Sequence, residues 1–553
     1  MFVDTRNIPH GSTVASDICV VGAGAAGITV ALELARSGFQ VCLVESGGVA
    51  PTATTQSLAE GNSIGAPYSS LDSSQLRFFG GNTNAWGGWF RGLDDIDFRQ
   101  RPWVDESGWP FDAQALSPYA KRVHEICEIS CHDYSVERSL AETPASRAQT
   151  IPFDPARVET ALYRFSPPTR FGRHYRSAIA RSPSIKCLLH AHALKIETGD
   201  YAQHVVAVEV GCLGAGRLKV TAQVFVLAAG AIENARLLLL SNDVASGGIG
   251  NGYDLVGRYF MDHPHTRRTL IPGPRHFAFG LYGLGFRRLG ISAGLSIAPP
   301  LQRKERLLNY KASIYPIYYG ESSPAWEGFR DLMLKVGRKW RIDPYDRTRL
   351  PFARKTLTVK QLARLAFRPD QVFLGALSYA FNPTLLIRGL VLESKPEQAP
   401  NRASRVTLDD SRDDFGLPRA RVDWRLLPID WHTVIRSEEI IDEELRRIGI
   451  GQLAPLTEEE RAGWPAGFTG GWHQIGTTRL HPDPRHGVVD ANCKVHGTAN
   501  LFVAGASIFP TGGAVSPMPT LLSLALRLAD HVKNILQQPI ATDDRQRVRI
   551  HAR

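Results

Sequence analysis

The sequence predicts an α/β fold, and three stretches carry that prediction. Each is a short apolar, β-prone run that meets a glycine-containing turn and then a helical pattern. They are Ile18 to Val21 with a helix from Ala25 to Arg36, Val224 onward with a helix reaching Ser241, and Leu501 to Ala504 with a turn at Gly505 and a helix from about Thr520 to Leu536. Strand–turn–helix units of this kind build parallel sheets with helices on their faces.

The first unit, DICVVGAGAAGITVALELARSGFQVCLVE, runs from Asp17 to Glu45. Gly22, Gly24 and Gly27 stand at G-x-G-x-x-G spacing, at a strand-to-helix junction. Gly22 suits a tight turn, Gly24 lets a pyrophosphate approach the backbone, and Gly27 lets helix and strand pack closely. Ala23, Ala25 and Ala26 fill the loop, whose helix N-terminus offers free N–H groups to phosphate. The helix stops at Gly38, a C-cap signal. A second apolar strand, Val41 to Val44, ends in Glu45 and Ser46, with Glu45 placed to accept hydrogen bonds from ribose hydroxyls. The spacing defines a dinucleotide site and leaves FAD and NAD(P) both open.

RFFGGNTNAWGGWFRGLDDIDF, Arg77 to Phe98, follows. Its glycines, asparagines and tryptophans fit either a structural Ω-loop or a loop covering the cofactor. Asp112 to Ile129 reads as a helix, with Cys127 and Cys131 as packed side chains. Ile185 to Glu197 and Val205 to Val210 read as short strands. In Val224–Ser241 (VFVLAAGAIENARLLLLS) the Ala229-Gly230 turn is placed to close on the first glycine loop. In NGYDLVGRYFMDHPH, His263 and His265 read as polar loop residues, because no carboxylate or Cys stands at metal-ligand spacing; no metal site is expected.

From His265 to about Ala399 the pattern is least readable, with β-like segments such as Asn309 to Tyr319. Asn401 to Trp424 alternates like two strands joined by an Asp/Gly turn, and Asp430 to Ile448 is an amphipathic helix. The tail from Gln537 to Arg553 is polar and reads as frayed.

A hydrophobic fraction of 43% and a charged fraction of 21% place the chain among globular proteins rather than disordered ones. The net charge of +10 is concentrated: residues 301–370 hold sixteen Lys/Arg and seven Asp/Glu. That window reads as a solvated basic face first, a weak contact with an anionic membrane or acidic partner second, and an anionic-substrate site third. No nucleic-acid motif accompanies it, so nucleic acid is not an expected partner. No apolar run approaches a membrane span. The N-terminus has no apolar leader, and seven scattered cysteines lack framework spacing, so a reduced, cytoplasmic protein is expected.

Taken together, the glycine loop ending in Glu45, the GGNTNAWGG loop, VLAAGAIENARLLLLS, VGRYFMDHP and the C-terminal HQIGTT…NLFVAGASIFPTGG…LALRLAD block resemble the glucose–methanol–choline (GMC) oxidoreductases. The WGG form is most similar to the bacterial, pyranose-oxidase-like branch. The resemblance spans nearly the whole chain except about 266–395. It implies a Rossmann-like FAD-binding domain assembled from residues 1–110, 200–265 and 465–540. It also implies a substrate domain of 111–199 and 266–464 on a mainly antiparallel sheet with helices, and a tail of 541–553. FAD would contact the glycine loop, Gly80, Gly81, Asn82, Asn84, Trp86, Gly87 and Gly88, then Ala229 and Gly230, and finally Gly505, Ala506 and Ser507, with Ala514 and Val515 near its ring. Some relatives carry a flavin-linked His in the second loop; Ala85 stands there, so the resemblance implies non-covalent FAD.

The implied reaction is oxidation of an alcohol, with removal of the hydroxyl proton and hydride transfer to flavin N5. The acceptor would be O2 or a redox partner. His473, in the family's H-x-x-G-T context, is the implied base; a His suits the task because it titrates near neutrality. His481, His486 and His496 lack that context. The family's second polar residue, Asn or His, aligns with Ser516, a departure that leaves open a non-redox or photochemical flavoenzyme such as a lyase or decarboxylase; the basic window 301–370 leaves open a membrane-associated dehydrogenase subunit. A sugar, glycoside, polyol or secondary-metabolite alcohol is the implied substrate.

Overall fold

The computed structural model describes residues 1–141, 149–167, 169–275, 277, 279–282, 290–318, 323–326, 328–329, 368–381, 387–465 and 467–538. Its centre is a six-stranded, all-parallel sheet. The strand order is Phe2–Asp4, Ile185–Leu189, Val41–Val44, Ile18–Val21, Val224–Leu227, Leu501–Val503. The three expected strand–turn–helix units therefore lie side by side in one sheet. Ile18–Val21, Val41–Val44 and Val224–Leu227 are buried at every position, as parallel strands covered on both faces must be. Helices Ala25–Arg36 and Met518–Gln537 pack on each other against the sheet, the second burying Leu522, Leu524, Leu526, Leu528 and Val532.

Ile185–Leu189 corrects the expected partition of the chain. Residues 111–199 were assigned to the second domain, yet this strand pairs with Val41–Val44 inside the nucleotide-type sheet. Its burial explains the placement: only Lys186 of the five is exposed. A four-stranded sheet, Thr13–Ala15, Arg217–Thr221, Val205–Gly211 and His192–Thr198, flanks this core.

The second layer is an antiparallel sheet. Its path is Gly451–Leu453, Pro264–Pro272, Ile387–Pro396, Tyr310–Tyr318, Ile291–Ile297, Val158–Phe165, Trp89–Phe90, with Thr469–Gly470 added beside Pro264–Pro272. One face is apolar. Leu162, Leu295, Ile297, Ile314 and Leu392 meet Ile440, Ile441 and Leu445 of helix Pro428–Ile448. That helix ends at Gly449, whose φ of +74° makes the left-handed C-cap. The Arg405–Arg412 and Pro418–Trp424 hairpin is joined by Gly61–Gly65 in parallel.

The helix expected over Asp112 to Ile129 is split: Ala113–Tyr119 is a 3-10 segment and only Ala120–Ile126 is α-helical. Pro118 is the cause, since it lacks an N–H and disfavours α geometry at Ser117. Most of the basic window, 330–367 included, and the tail 539–553 lie outside the described residues. Among the described residues, no helix is long and apolar enough to cross a membrane.

Candidate active site

Three glycines of the first loop do three different jobs. Gly22 has a φ of +103°, and a Cβ there would lie 2.6 Å from the Ala228 carbonyl oxygen. A Cβ on Gly27 would lie 1.9 Å from the Gly22 carbonyl oxygen, so helix and strand meet there backbone to backbone. Gly24 differs. It caps helix Ala25–Arg36 with φ −82° and no side-chain cap, and a Cβ there would meet nothing within 4 Å. The protein itself does not require glycine at Gly24; only the space in front of it does. That space is a cleft, partly open to solvent and walled by Gly22, Ala23, Gly24, Ala25 and Ala26.

Glu45 also lines the cleft, but its carboxylate is engaged with the loop. Oε2 accepts from the Ala23 N–H at 3.0 Å and Oε1 from the Gly47 N–H at 2.8 Å. Burial raises its pKa, and those two bonds work against the rise. Glu45 thus fixes the loop's shape as well as presenting lone pairs to the cleft, alongside Ser46.

The second loop divides into wall and scaffold. Gly81, Asn82 and Trp86 line the cleft, and a Cβ on Gly81 would lie 3.2 Å from Gly24 Cα. Gly80, Asn84, Gly87 and Gly88 are not among its walls. Gly80 abuts the Gly172 backbone, and Asn84 Nδ2 donates to the Phe79 carbonyl at 2.9 Å. Ala229 and Gly230 line the cleft, as do Gly505 and Ala506. The two junctions are tied by Asn234, which accepts from the Ala229 N–H at 2.8 Å and donates to Ser507 Oγ at 3.0 Å. Gly27, Ser507, Ala514 and Val515 are buried behind the walls.

His473 and Ser516 both line the same cleft, with Met518 and Pro517 beside Ser516. Two local pairings bring His473 to His263: Met261 bridges to Ile475, and Pro264 pairs with Gly470. His473 Nδ1 then sits 2.8 Å from His263 Nδ1. Asp262 braces both. Its Oδ1 accepts from the backbone N–H of His263 at 2.7 Å and of His473 at 2.8 Å, while Oδ2 accepts from Tyr68 Oη at 2.6 Å. Trp472, just before His473, has a φ of +61°, a left-handed backbone rare for a bulky residue, and its Nε1 donates to Ser69 Oγ at 3.0 Å.

Of the two histidines read as polar loop residues, His265 lies instead on strand Pro264–Pro272, while His263 is a loop residue but is buried against His473. The DHP tripeptide pointed at neither role by spacing alone, because its partner is 210 residues away. Tyr68 and Trp472 carried no motif, and Gln75 and Leu76, which also line the cleft, precede the second loop, whose first residue, Arg77, lines it as well. Among the described residues, no group of three His, Cys, Asp or Glu could hold a metal ion.

Burial, then the charge of His265, pushes the His263 pKa down to about 4. An unfolded imidazole takes up its proton near pH 6.5. Between about 6.5 and 4 the unfolded chain therefore binds a proton that the native one refuses, and stability falls as the pH drops through that window. His263→Asn should flatten this loss. Melting temperatures at pH 7 and pH 4.5 should differ less for the variant than for the wild type; equal differences would mean His263 titrates normally.

The fold and this cleft define a dinucleotide-binding oxidoreductase with a histidine pair at one wall of the cofactor space. Residues 17–350 match the FAD dependent oxidoreductase family, and residues 400–525 match the C-terminal part of the GMC oxidoreductases. The chain belongs to the FAD-dependent oxidoreductases and, within them, to the GMC family. It is 25% identical over 326 residues to the fructose dehydrogenase large subunit of Gluconobacter japonicus, covering 58% of this chain and 49% of that one, so it spans about half the length of that relative. It is 25% identical over 576 residues to paromamine 6'-oxidase of Streptomyces fradiae, covering 93% of this chain and 91% of the other. The fold superposes on a fungal aryl-alcohol oxidase with a TM-score of 0.57 at 15% identity, over 95% of this chain and 99% of that one.

Proposed function

We propose that the protein oxidises a hydroxyl of a sugar, glycoside or polyol to a carbonyl, with His473 as the base. The observation that carries this is the His473–His263 contact at the wall of the same cleft that the glycine loop lines. Relatives named for fructose and paromamine support the sugar class. FAD fits the cleft because the space in front of Gly24 is bounded by a free helix N-terminus and by backbone that leaves room for phosphate. Gly22 to Ala26 would hold the pyrophosphate, with Gly81, Asn82, Trp86, Gly505 and Ala506 closing over the rest. Ala85 offers no group for a covalent link, so acid precipitation should release the flavin into the supernatant. Bound FAD would supply the acceptor for the hydride from the carbinol carbon.

The protein's own part is proton handling. In the His pair one Nδ1 must donate and the other accept. Burial holds His263 neutral, and its Nε2, near Gly512, has no hydrogen-bond partner among the described residues. With its proton on Nε2, His263 accepts at Nδ1. His473 then donates from Nδ1 and keeps a lone pair on Nε2 to take the substrate's hydroxyl proton. Once protonated, His473 still donates to a neutral His263, so the new charge forms beside an acceptor. Ser516, where relatives have Asn or His, would hydrogen-bond the same substrate oxygen.

An anaerobic screen of sugars and polyols for bleaching of the flavin band tests the reading. At least one should bleach it, and failure of every alcohol would overturn the assignment. Readmitting air, then a dye, separates O2 from a redox protein as acceptor. Seven unpaired cysteines support a reduced, cytoplasmic setting.

A further inference from the structure

Asp262 is fully buried, and its carboxylate holds the two histidines at once. Oδ1 accepts from the N–H of His263 at 2.7 Å and of His473 at 2.8 Å, so one oxygen fixes the spacing of two segments 210 residues apart. Tyr68 Oη donates to Oδ2 at 2.6 Å. That phenol is aimed by its ring, which packs edge-on against Phe260 and Trp424 with centroids 5.7 and 5.3 Å away. The Asp262 backbone is pinned as well. Its N–H donates to Gln398 Oε1 at 2.9 Å, the same oxygen that accepts from Trp424 Nε1 at 2.9 Å. The chain leading to His473 passes over this group. A Cβ on Gly470 would stand 2.5 Å from Tyr68 Cε2 and 2.8 Å from Asp262 Oδ2, so only glycine lets the strand and the phenol–carboxylate bond share the space.

The donors around Asp262 are two amides and a phenol, none of them charged. Burial raises its pKa, and Tyr68, the two N–H groups and finally His265 work against the rise. Among the described residues, no Lys or Arg forms an ion pair with it, and a buried charge left unpaired is costly. The other ionisable groups around the pair push the opposite way: His265 and Lys395 both disfavour a proton on His263, and Glu393 is engaged with His265 at 3.4 Å. Asp262 is the carboxylate that reaches both histidines. Its missing counter-charge appears only during the reaction, when His473 becomes an imidazolium.

We propose that Asp262 is a positioning residue for the oxidation and that its carboxylate, held by Tyr68, is the counter-charge of His473 once that ring takes the substrate's proton. The substrate O–H bond breaks and an N–H bond forms at His473 Nε2. The ring gains one positive charge while Asp262 keeps its negative one, and the carbinol hydride with its electron pair goes to bound FAD. Asp262 takes no proton. An interaction complete only after proton transfer lowers the barrier rather than tightening ground-state binding. The proposal rests on the alcohol-oxidising reading above, with His473 as the base.

The test compares holoenzyme of the wild type, Asp262→Asn and the milder Tyr68→Phe. Asparagine keeps the bracket, because its Oδ1 still accepts from both N–H groups and its Nδ2 can donate to the Tyr68 hydroxyl; only the charge is lost. The imidazole titration of His473 is followed by NMR in histidine-labelled oxidised holoenzyme, assigned by the signal missing from His473→Ala. This needs no substrate. Anaerobic stopped-flow reduction by the alcohol that the wild type prefers then gives the pH profile and separates apparent Kd from limiting rate. In Asp262→Asn the His473 midpoint and the acid limb of the profile should both move about one pH unit to the acid side. The limiting rate should fall about tenfold, with apparent Kd, flavin content and melting temperature close to wild type. Tyr68→Phe should move the midpoint the same way by less, since the carboxylate loses one donor. An unmoved midpoint, with the rate unchanged or lowered equally at every pH, would reduce Asp262 to a structural brace and overturn the inference while leaving alcohol oxidation intact. If no alcohol reduces the wild-type flavin, the oxidation reading fails, and the NMR midpoint alone decides whether Asp262 charges the pair. Should Asp262→Asn fail to retain flavin, Tyr68→Phe carries the comparison, and an unmoved midpoint there overturns the inference.

Discussion

His473→Ala is expected to slow alcohol-driven flavin reduction by about a hundred- to ten-thousand-fold, the usual worth of a general base, while the purified protein keeps its yellow colour. The two halves of this expectation have different origins. His473 touches the cleft at one wall, whereas the cofactor cradle is backbone from the glycine loop and the loop around Gly81. Removing the imidazole therefore deletes the proton acceptor without touching the cradle. It also leaves His263 facing a void, but His263 is neutral and keeps its main support, because Asp262 holds its backbone N–H. Rapid-scan measurements under nitrogen, with flavin content read from the same sample, check both halves. A rate within threefold of wild type would remove His473 from the base role. Loss of flavin would mean that the histidine pair braces the cofactor.

Gly24→Val and Gly27→Ala should fail in opposite ways. At Gly24 the backbone is one that any L-residue adopts, and no protein atom lies within 4 Å of the added carbon. The variant should fold with the melting temperature of flavin-free wild type and bind FAD at least tenfold more weakly, because its side chain projects into the space for phosphate. At Gly27 the added carbon would fall 1.9 Å from the Gly22 carbonyl oxygen, which cannot move without reshaping the junction with Ala228. Backbone displacement of this kind places the substitution among the severe ones, and soluble yield should collapse. Differential scanning fluorimetry with and without added FAD distinguishes the two. A Gly24→Val protein with full flavin content would show that the cleft in front of Gly24 is not the phosphate position.

What could be read in the sequence was what is local. The strand, turn and helix around Gly22, Gly24 and Gly27 lie within thirty residues, and each glycine has a reason that spacing exposes. Ala229 and Gly505 were legible for the same reason. His473 was singled out through the resemblance, which ties the base to its five-residue context. His263 was not, because its meaning lies in a partner 210 residues on, brought near by a bridge between Met261 and Ile475 that no periodicity announces. Ile185–Leu189 was recognised as a strand but given to the wrong layer, since a short apolar run says nothing about which sheet it joins. Strand Ile387–Pro396 sat in the least readable stretch, where alternation along one strand is visible but the facing residues on other strands are not.

The central sheet also sets an order of assembly. Its two edges are Phe2–Asp4 and Leu501–Val503, strands far apart in the chain. Until Leu501–Val503 docks, Val224–Leu227, an apolar strand buried in the finished protein, is an open edge able to pair with another chain. The same part of the chain carries Gly505 and Ala506, so docking this strand also completes one wall of the cleft. A ligand that binds only the completed state stabilises it by mass action. Bound FAD that contacts Gly505 and Ala506 would therefore favour the docked strand, and flavin-free protein is expected to expose the Val224–Leu227 edge more readily.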